Sequence, residues 1–364
     1  MFNRKTLFIV GAGAGADVNM PVGRGLALDI AKRTKVSIAH FGGRLEKGTY
    51  DEDLALSFFE KGLRKDQAYF DAFELIRKGI LLSNSIDDFL NIHEGSPEVV
   101  AVGKSAIIRS ILNAERESYL FVSPSNANNT LDLDRIVGSW FVKFMQVLGP
   151  GRKAPDVERV LDDVSFINFN YDRCLEHFFM HALHLLYGIP KQQATAIVRG
   201  ASIIHPYGWV GPLDKVPFGG NQHGRHDYLD LSTRIKTYTE QVEEEATVSS
   251  MEKAIRNTEC VVFLGFAYHK QNMKLLFRNH VVPKVEKPIF ATALGMSDAD
   301  KGEVESNLQD LFPEPGDDDD DVDTGIFGSG LRSPPVLKLH QHIHIENKLN
   351  CAQLFDYYAK SLAG

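Results

Sequence analysis

The stretch Thr6-Leu7-Phe8-Ile9-Val10-Gly11-Ala12-Gly13-Ala14-Gly15-Ala16-Asp17 decides the fold class. A short, mostly apolar run stops abruptly at glycine, which is how a strand buried on both faces of a parallel sheet reads. Gly11, Gly13 and Gly15 let the backbone turn sharply and approach a pyrophosphate. The helix that follows aims its first N–H groups at an anion. The run departs from a clean GxGxxG because Ala16 holds the sixth position, a variant that the dinucleotide fingerprint permits. It lacks the Lys-Ser/Thr ending of a Walker A loop. A tight strand-to-helix turn with no ligand would share the same local pattern.

Working outward, residues 21 to about 35 carry apolar positions at Leu26, Leu28, Ile30 and Ala31 and read as a helix. From about 40 to 160 helical spacing takes over: Leu54, Phe58, Phe59 and Leu63, then Phe70, Phe73 and Ile76. The clearest case is Ile136, Val137, Trp140, Phe141, Phe144, Met145 and Leu148, which predict one continuous apolar face. Ser123–Asn129 is a polar loop. Gly149-Pro150-Gly151 ends this helical block, and Pro155 sits near the N1 position of a short helix. Strand-like runs then return at 164–168, 201–205, 260–264, 288–294 and 336–345, with helical patterns at 175–186, at 272–282 and from about Ala352. Strands alternating with helices predict an α/β fold: a Rossmann-like parallel sheet flanked by helices. The core comprises residues 1–40 and 160–364, and residues 41–159 form a large, mainly helical insertion. Pro313–Asp323 is acidic and reads as a solvated loop.

Bulk properties narrow the function classes. A chain of 364 residues, 43% hydrophobic, can bury the core of one large domain or of a domain with an insertion. The net charge of -8 and the lack of a long basic stretch argue against direct nucleic-acid binding. Three scattered cysteines, Cys174, Cys260 and Cys351, cannot build a four-cysteine zinc ribbon or a disulfide framework. The apolar run Leu7–Val10 is too short for a secretory h-region, and nothing reaches transmembrane length. A reducing, cytoplasmic compartment is the expectation.

Five later segments carry chemistry. Residues 19–24 (Asn19-Met20-Pro21-Val22-Gly23-Arg24) place a proline and an arginine behind the glycine loop. Ser85-Ile86-Asp87-Asp88-Phe89-Leu90 is a helix start with acidic residues. Phe166–Asp172 ends in Asn170-Tyr171-Asp172 at a strand-to-helix junction, where an open α/β sheet faces its ligand crevice. Capping of the next helix by Asn170 or Asp172 would explain the same residues. Ile203-Ile204-His205-Pro206-Tyr207-Gly208 delivers a histidine from a strand end into a turn. Phe263-Leu264-Gly265-Phe266-Ala267-Tyr268-His269, followed by Gln271-Asn272, runs from strand to glycine to helix. His340, His342 and His344 alternate along a strand about 6–7 Å apart, which suits a single metal ion poorly. They read as an exposed face. His223 and His226 have no partnered carboxylate pattern, and no metal site is predicted.

Taken in order, GAGAGADVNMPVGR, the Asn-Tyr-Asp element, His205 and Gly265 resemble the sirtuin pattern, and the SIDxFL-like element resembles zinc-free sirtuin-like proteins of bacterial antiviral defence. The resemblance covers roughly residues 5–35 and 160–295. Ala14, Gly15 and Gly23 depart from the usual isoleucine, serine and phenylalanine. The resemblance implies that NAD is the substrate, held by Gly11, Ala12, Gly13, Gly15, Asp17, Pro21, Arg24, Tyr171, Gly265 and Phe266. It implies catalytic roles for Asn170, Asp172 and His205. Asn170 would hold the nicotinamide amide or a water, Asp172 would stabilise the developing ribose cation, and a neutral His205 would accept a proton. It further implies an NAD glycohydrolase that depletes NAD during infection, restrained by self-assembly as a homo-oligomer or by a partner such as a HerA-type hexameric ATPase. A non-catalytic NAD or ADP-ribose sensor, and a zinc-free protein deacylase, are the alternatives.

Overall fold

The computed structural model describes residues 2–37, 45, 48–59, 67–123, 125–126, 129–221, 226–242, 244–278, 287–311 and 342–364. Leu63, His223, His340, the acidic stretch 313–323 and most of the run 336–345 lie outside the described residues.

Six strands form one parallel sheet: β1 (Thr6–Val10), β2 (Val164–Asn168), β3 (Ser202–Ile204), β4 (Cys260–Leu264), β5 (Ile289–Thr292) and β6 (Ile343–Glu346). Their spatial order is β3-β2-β1-β4-β5-β6, and every pairing is parallel. The chain therefore builds outward from β1 on one side, returns, and builds outward on the other. That reversal between β1 and β4 is where open α/β sheets bind ligands. The register levels Val10 with Asn168 and with Leu264, so the loops after β1, β2 and β4 open at one edge.

Between β1 and β2 stand α1 (Gly23–Arg33), α2 (Glu52–Phe59), α3 (Gln67–Gly79), α4 (Ile86–Ile92), α5 (Pro97–Glu117), α6 (Leu133–Ile136) and α7 (Trp140–Leu148). Then come α8 (Cys174–Tyr187), α9 (Lys191–Gly200), α10 (Tyr228–Ser232), α11 (Tyr238–Val242), α12 (Glu245–Asn257), α13 (Lys270–Leu276), α14 (Asp298–Leu311) and α15 (Cys351–Ala363). Alternation along the central strands divides the core in two. Leu7, Ile9, Ile167, Val261 and Phe263 pack with α1 to α5 and α12. Phe8, Val10, Phe166, Val262 and Leu264 pack with α7, α8, α9 and α15. The helices that precede β2 thus cover both faces of the sheet and share its core.

Two readings of the sequence change. The apolar face expected over Ile136–Leu148 is broken. Val137 is 60% exposed, and a new helix starts at Trp140, whose N–H donates to Asp17 Oδ2 at 3.1 Å. A carboxylate 123 residues away in sequence starts this helix, so no local pattern could announce it. The histidine face is also not uniformly exposed: His342 is, but His344 is half-buried, stacked on Phe290 with ring centroids 5.2 Å apart. Among the described residues no helix is long and apolar enough to cross a membrane.

Candidate functional site

At the reversal point lies a cleft of about 620 Å³. Gly11, Ala12, Gly13 and Asp17 line it from the loop after β1, and Pro21 from the approach to α1. Asn170, Tyr171 and Asp172 line it from the end of β2, and Gly265 and Phe266 from the end of β4. Gly15 is buried behind the loop, where an added Cβ would meet the Met20 side chain at 2.7 Å. Arg24 is exposed on α1, outside the cleft wall.

The glycines have a reason other than the expected approach to a pyrophosphate. A Cβ on Gly11 would lie 2.7 Å from the Gly265 carbonyl oxygen, and one on Gly13 would lie 2.9 Å from Gly265 Cα. Gly265 itself has φ +57, and its Cβ would sit 2.0 Å from the Ala14 nitrogen. Gly13 N–H donates to the Gly265 carbonyl at 2.9 Å. The two loops therefore pack backbone on backbone, which only residues without side chains permit. The indole Nε1 of Trp140 adds a bond to the Ala14 carbonyl at 2.8 Å. Asp17, expected beside the cofactor, lines the cleft and also receives the Trp140 N–H that opens α7.

Asn170 bridges the central strands. Its Nδ2 donates to the Gly11 carbonyl at 3.2 Å, and its main-chain N–H donates to Asn168 Oδ1 at 3.1 Å. Its own Oδ1 has no partner among the described residues. Asp172 Oδ1 accepts the Cys174 N–H at 3.0 Å from the position before the Arg173 N-cap, so it holds the first N–H of α8 and also lines the cleft. Tyr171 donates its hydroxyl to Asp87, so the SIDDFL element also joins this wall. Tyr207 donates to Asn272 Oδ1 at 2.7 Å, again in the cleft lining.

The electrostatics are one-sided. Asp17, Asp87 and Asp172 line the cleft, and neither lysine nor arginine does among the described residues. Burial pushes all three carboxyls above the ordinary value. The Trp140 N–H partly offsets this at Asp17, the Tyr171 hydroxyl at Asp87 and the Cys174 N–H at Asp172. Burial also raises Tyr171 far above the phenol range, so it stays a neutral donor.

His205 lies elsewhere. It lines a neighbouring cavity of about 1170 Å³ between β3, α8, α9 and the 208–221 segment. Its Nδ1 faces the Asn170 main-chain carbonyl at 3.2 Å, and its Nε2 faces Glu176 Oε1 at 2.8 Å. Trp209 stacks on the ring, with centroids 5.0 Å apart. A carbonyl can only accept, so Nδ1 carries a proton, and the carboxylate favours a second proton on Nε2. Burial works against the charge, but Glu176, in contact and hydrogen-bonded, outweighs it and leaves the imidazole above its ordinary value. The neutral imidazole expected to take a ribose proton is therefore not the form this setting favours. Glu176 escaped the sequence reading. An acid in the first turn of a helix is routine, and its partner is 29 residues away.

No family model matches the chain, and no curated protein matches it. Among the described residues no group of three or more histidines, cysteines or carboxylates could hold a metal ion.

Proposed function

We propose that the cleft binds NAD and that the protein hydrolyses it to nicotinamide and ADP-ribose. One observation carries the reading: Asn170 and Asp172 share a single cleft with the loops after β1 and β4, at the point where the strand order reverses. With no lysine or arginine among the described residues of the wall, the pyrophosphate is held by main-chain N–H groups. The N-terminus of α1 suits this, because Val22 gives it no side-chain cap and Val22 and Gly23 line the cleft.

The carboxylates suit the other end of the dinucleotide. The bond between ribose C1′ and the nicotinamide nitrogen breaks, its electron pair neutralises the pyridinium, and positive charge builds on the ribose. Asp172 stabilises that charge, and the unengaged Oδ1 of Asn170 accepts the carboxamide N–H. Water adds at C1′ and releases a proton. In the cell the proposal is a regulated effector of antiphage defence that acts by depleting NAD, held in check by self-assembly or by a HerA-type ATPase.

A sensor that binds NAD or ADP-ribose without cleaving it has support of its own. Asn170 Nδ2 and Asp172 Oδ1 both serve backbone groups, and His205 sits outside the cleft. The test is nicotinamide release by wild type beside Asn170→Ala, with NAD binding measured on both. Release that vanishes in the variant while binding persists upholds hydrolysis. Binding without release by wild type, with and without infected-cell extract, upholds the sensor.

A further inference from the structure

We infer that Glu176 and His205 form a positioning pair, in which a charged imidazolium holds the Asn170 main chain at the cleft edge and Glu176 keeps the ring charged. This deepens the NAD-cleavage reading and rests on it for the role of Asn170. The geometry is the argument. His205 Nδ1 has the Asn170 carbonyl at 3.2 Å and Nε2 has Glu176 Oε1 at 2.8 Å, so neither nitrogen has a lone pair free for a substrate. The ring's side chain is 7% exposed and Trp209 covers one face, which keeps water from competing for either bond. Asn170 is tethered on its other side through Nδ2 to Gly11. The imidazolium thus grips the peptide group of the residue whose amide faces the substrate.

The groups around the ring are few. Asp172, from the same junction, adds a second negative charge that favours the imidazolium. His177 of α8 lines the same cavity as a neutral ring, since burial lowers it well below the ordinary value. Of the cations lining that cavity, Lys236 is paired with Glu244, Arg199 with Asp214 at 2.8 Å, and Arg234 with the Val210 carbonyl at 3.2 Å. Glu176 Oε2 is buried and has no hydrogen-bond partner among the described residues. The carboxylate's one engaged oxygen is therefore spent on His205.

The test uses the full-length protein. Histidine Cε1 carbon signals are followed against pH in wild type and Glu176→Gln, with His205 identified by its loss in His205→Gln. In wild type the ring should titrate above the ordinary histidine value. In Glu176→Gln its midpoint should fall by about 1–3 pH units, the usual effect of removing an adjacent opposite charge. The Tyr171 amide signal, which belongs to the peptide of the Asn170 carbonyl, should follow the same midpoint in wild type. Nicotinamide release should then show a kcat loss of about tenfold or more in Glu176→Gln, with a smaller change in KM and an alkaline limb moved to lower pH. Titration of wild-type His205 at or below the ordinary value overturns the pair, and so does a midpoint indifferent to Glu176→Gln. The wild-type titration decides this even if the variant fails to fold. Absence of nicotinamide release at every pH would overturn the cleavage reading alone, since the carbon and amide signals report the pair without any turnover.

Discussion

The cleft and the cavity beside it meet at Asn170 and His205 but are built in opposite ways. The cleft sits over the central strands, its charged side chains are aspartates, and much of its wall is backbone. The neighbouring cavity sits against β3 at the end of the strand order and carries charges of both signs, Arg199, Arg234 and Lys236 beside Glu176 and Asp214, with imidazole groups among them. The contrast shows where the fold places each kind of donor. Over the central strands, loops and helix starts present main-chain N–H groups, so an anion can be held without cationic side chains. At the margin of the sheet fewer helix starts converge, and side chains supply the charge.

The largest effect should come from the contact that shapes the cleft. Gly265→Val would push a branched side chain into the backbone of Gly13 and Ala14 from a left-handed position. Backbone cannot swing aside as a flexible side chain can, so the variant should lose its cooperative melting transition. A variant that melts like wild type would mean the two loops separate readily, and the cleft would not be the rigid partner in the comparison.

Next is the link between the two regions. Arg173 follows Asp172 and is fully buried against Glu115 of α5, also fully buried. It donates to the carbonyls of Gly211, Val216 and Pro217, in the segment that walls the second cavity. Arg173→Met removes the guanidinium and leaves the Glu115 carboxyl, buried in the core, with only the main-chain N–H groups of residue 173 and Gly219 as donors. The expected loss is about 3–5 kcal/mol, read from the urea midpoint. A loss under about 1 kcal/mol would show that the two regions are held together by other contacts.

How much of this was legible beforehand follows from the range of each interaction. Strands β1, β2 and β4 have the bounds expected from their apolar runs, because burial on both faces leaves no choice of residue type. Strand β3 is shorter than the run 201–205, since His205 has already turned toward Glu176. The loops of the cleft were legible because register and strand order bring glycine and Asn-Tyr-Asp motifs to one edge. The break before Trp140 and the pairs Arg173–Glu115 and His205–Glu176 were not. Each joins residues far apart in sequence, 58 positions in the case of Arg173 and Glu115, and no periodicity encodes such a partner.

A smaller effect tests one wall of the cleft. Tyr171→Phe removes the hydroxyl that Asp87 accepts and keeps the ring. Bonds to charged groups contribute about 1.5–3 kcal/mol, so the melt should fall accordingly and NAD affinity should change with it. Unchanged stability would place Asp87 in its protonated form, with a partner other than Tyr171.

The smallest effect separates the two regions by pH. Asp87 in the cleft and His205 beside it both have proton affinities raised by the fold, but over different windows. A carboxyl raised by burial costs nothing below the ordinary carboxylate value, where it is protonated folded or unfolded. As pH rises from there the unfolded chain ionises first, so stability falls until the folded group ionises too. An imidazole raised by Glu176 contributes fully below the ordinary histidine value and loses that contribution as pH rises through its folded value. His177 and His181 run the other way: burial lowers both, His181 to about 4, so their contribution is lost as pH falls below the ordinary histidine value. Because these trends overlap, the measurement is the difference in denaturation free energy between wild type and variant. For Asp87→Asn that difference should drift in the acid range. For Glu176→Gln it should drift as pH rises above the ordinary histidine value. NAD binding should weaken as pH rises above the ordinary carboxylate value and the cleft carboxyls ionise against the pyrophosphate, and Asp87→Asn should flatten that slope. Binding that is indifferent to pH in wild type would mean the phosphates lie out of reach of the aspartates, toward the α1 N-terminus.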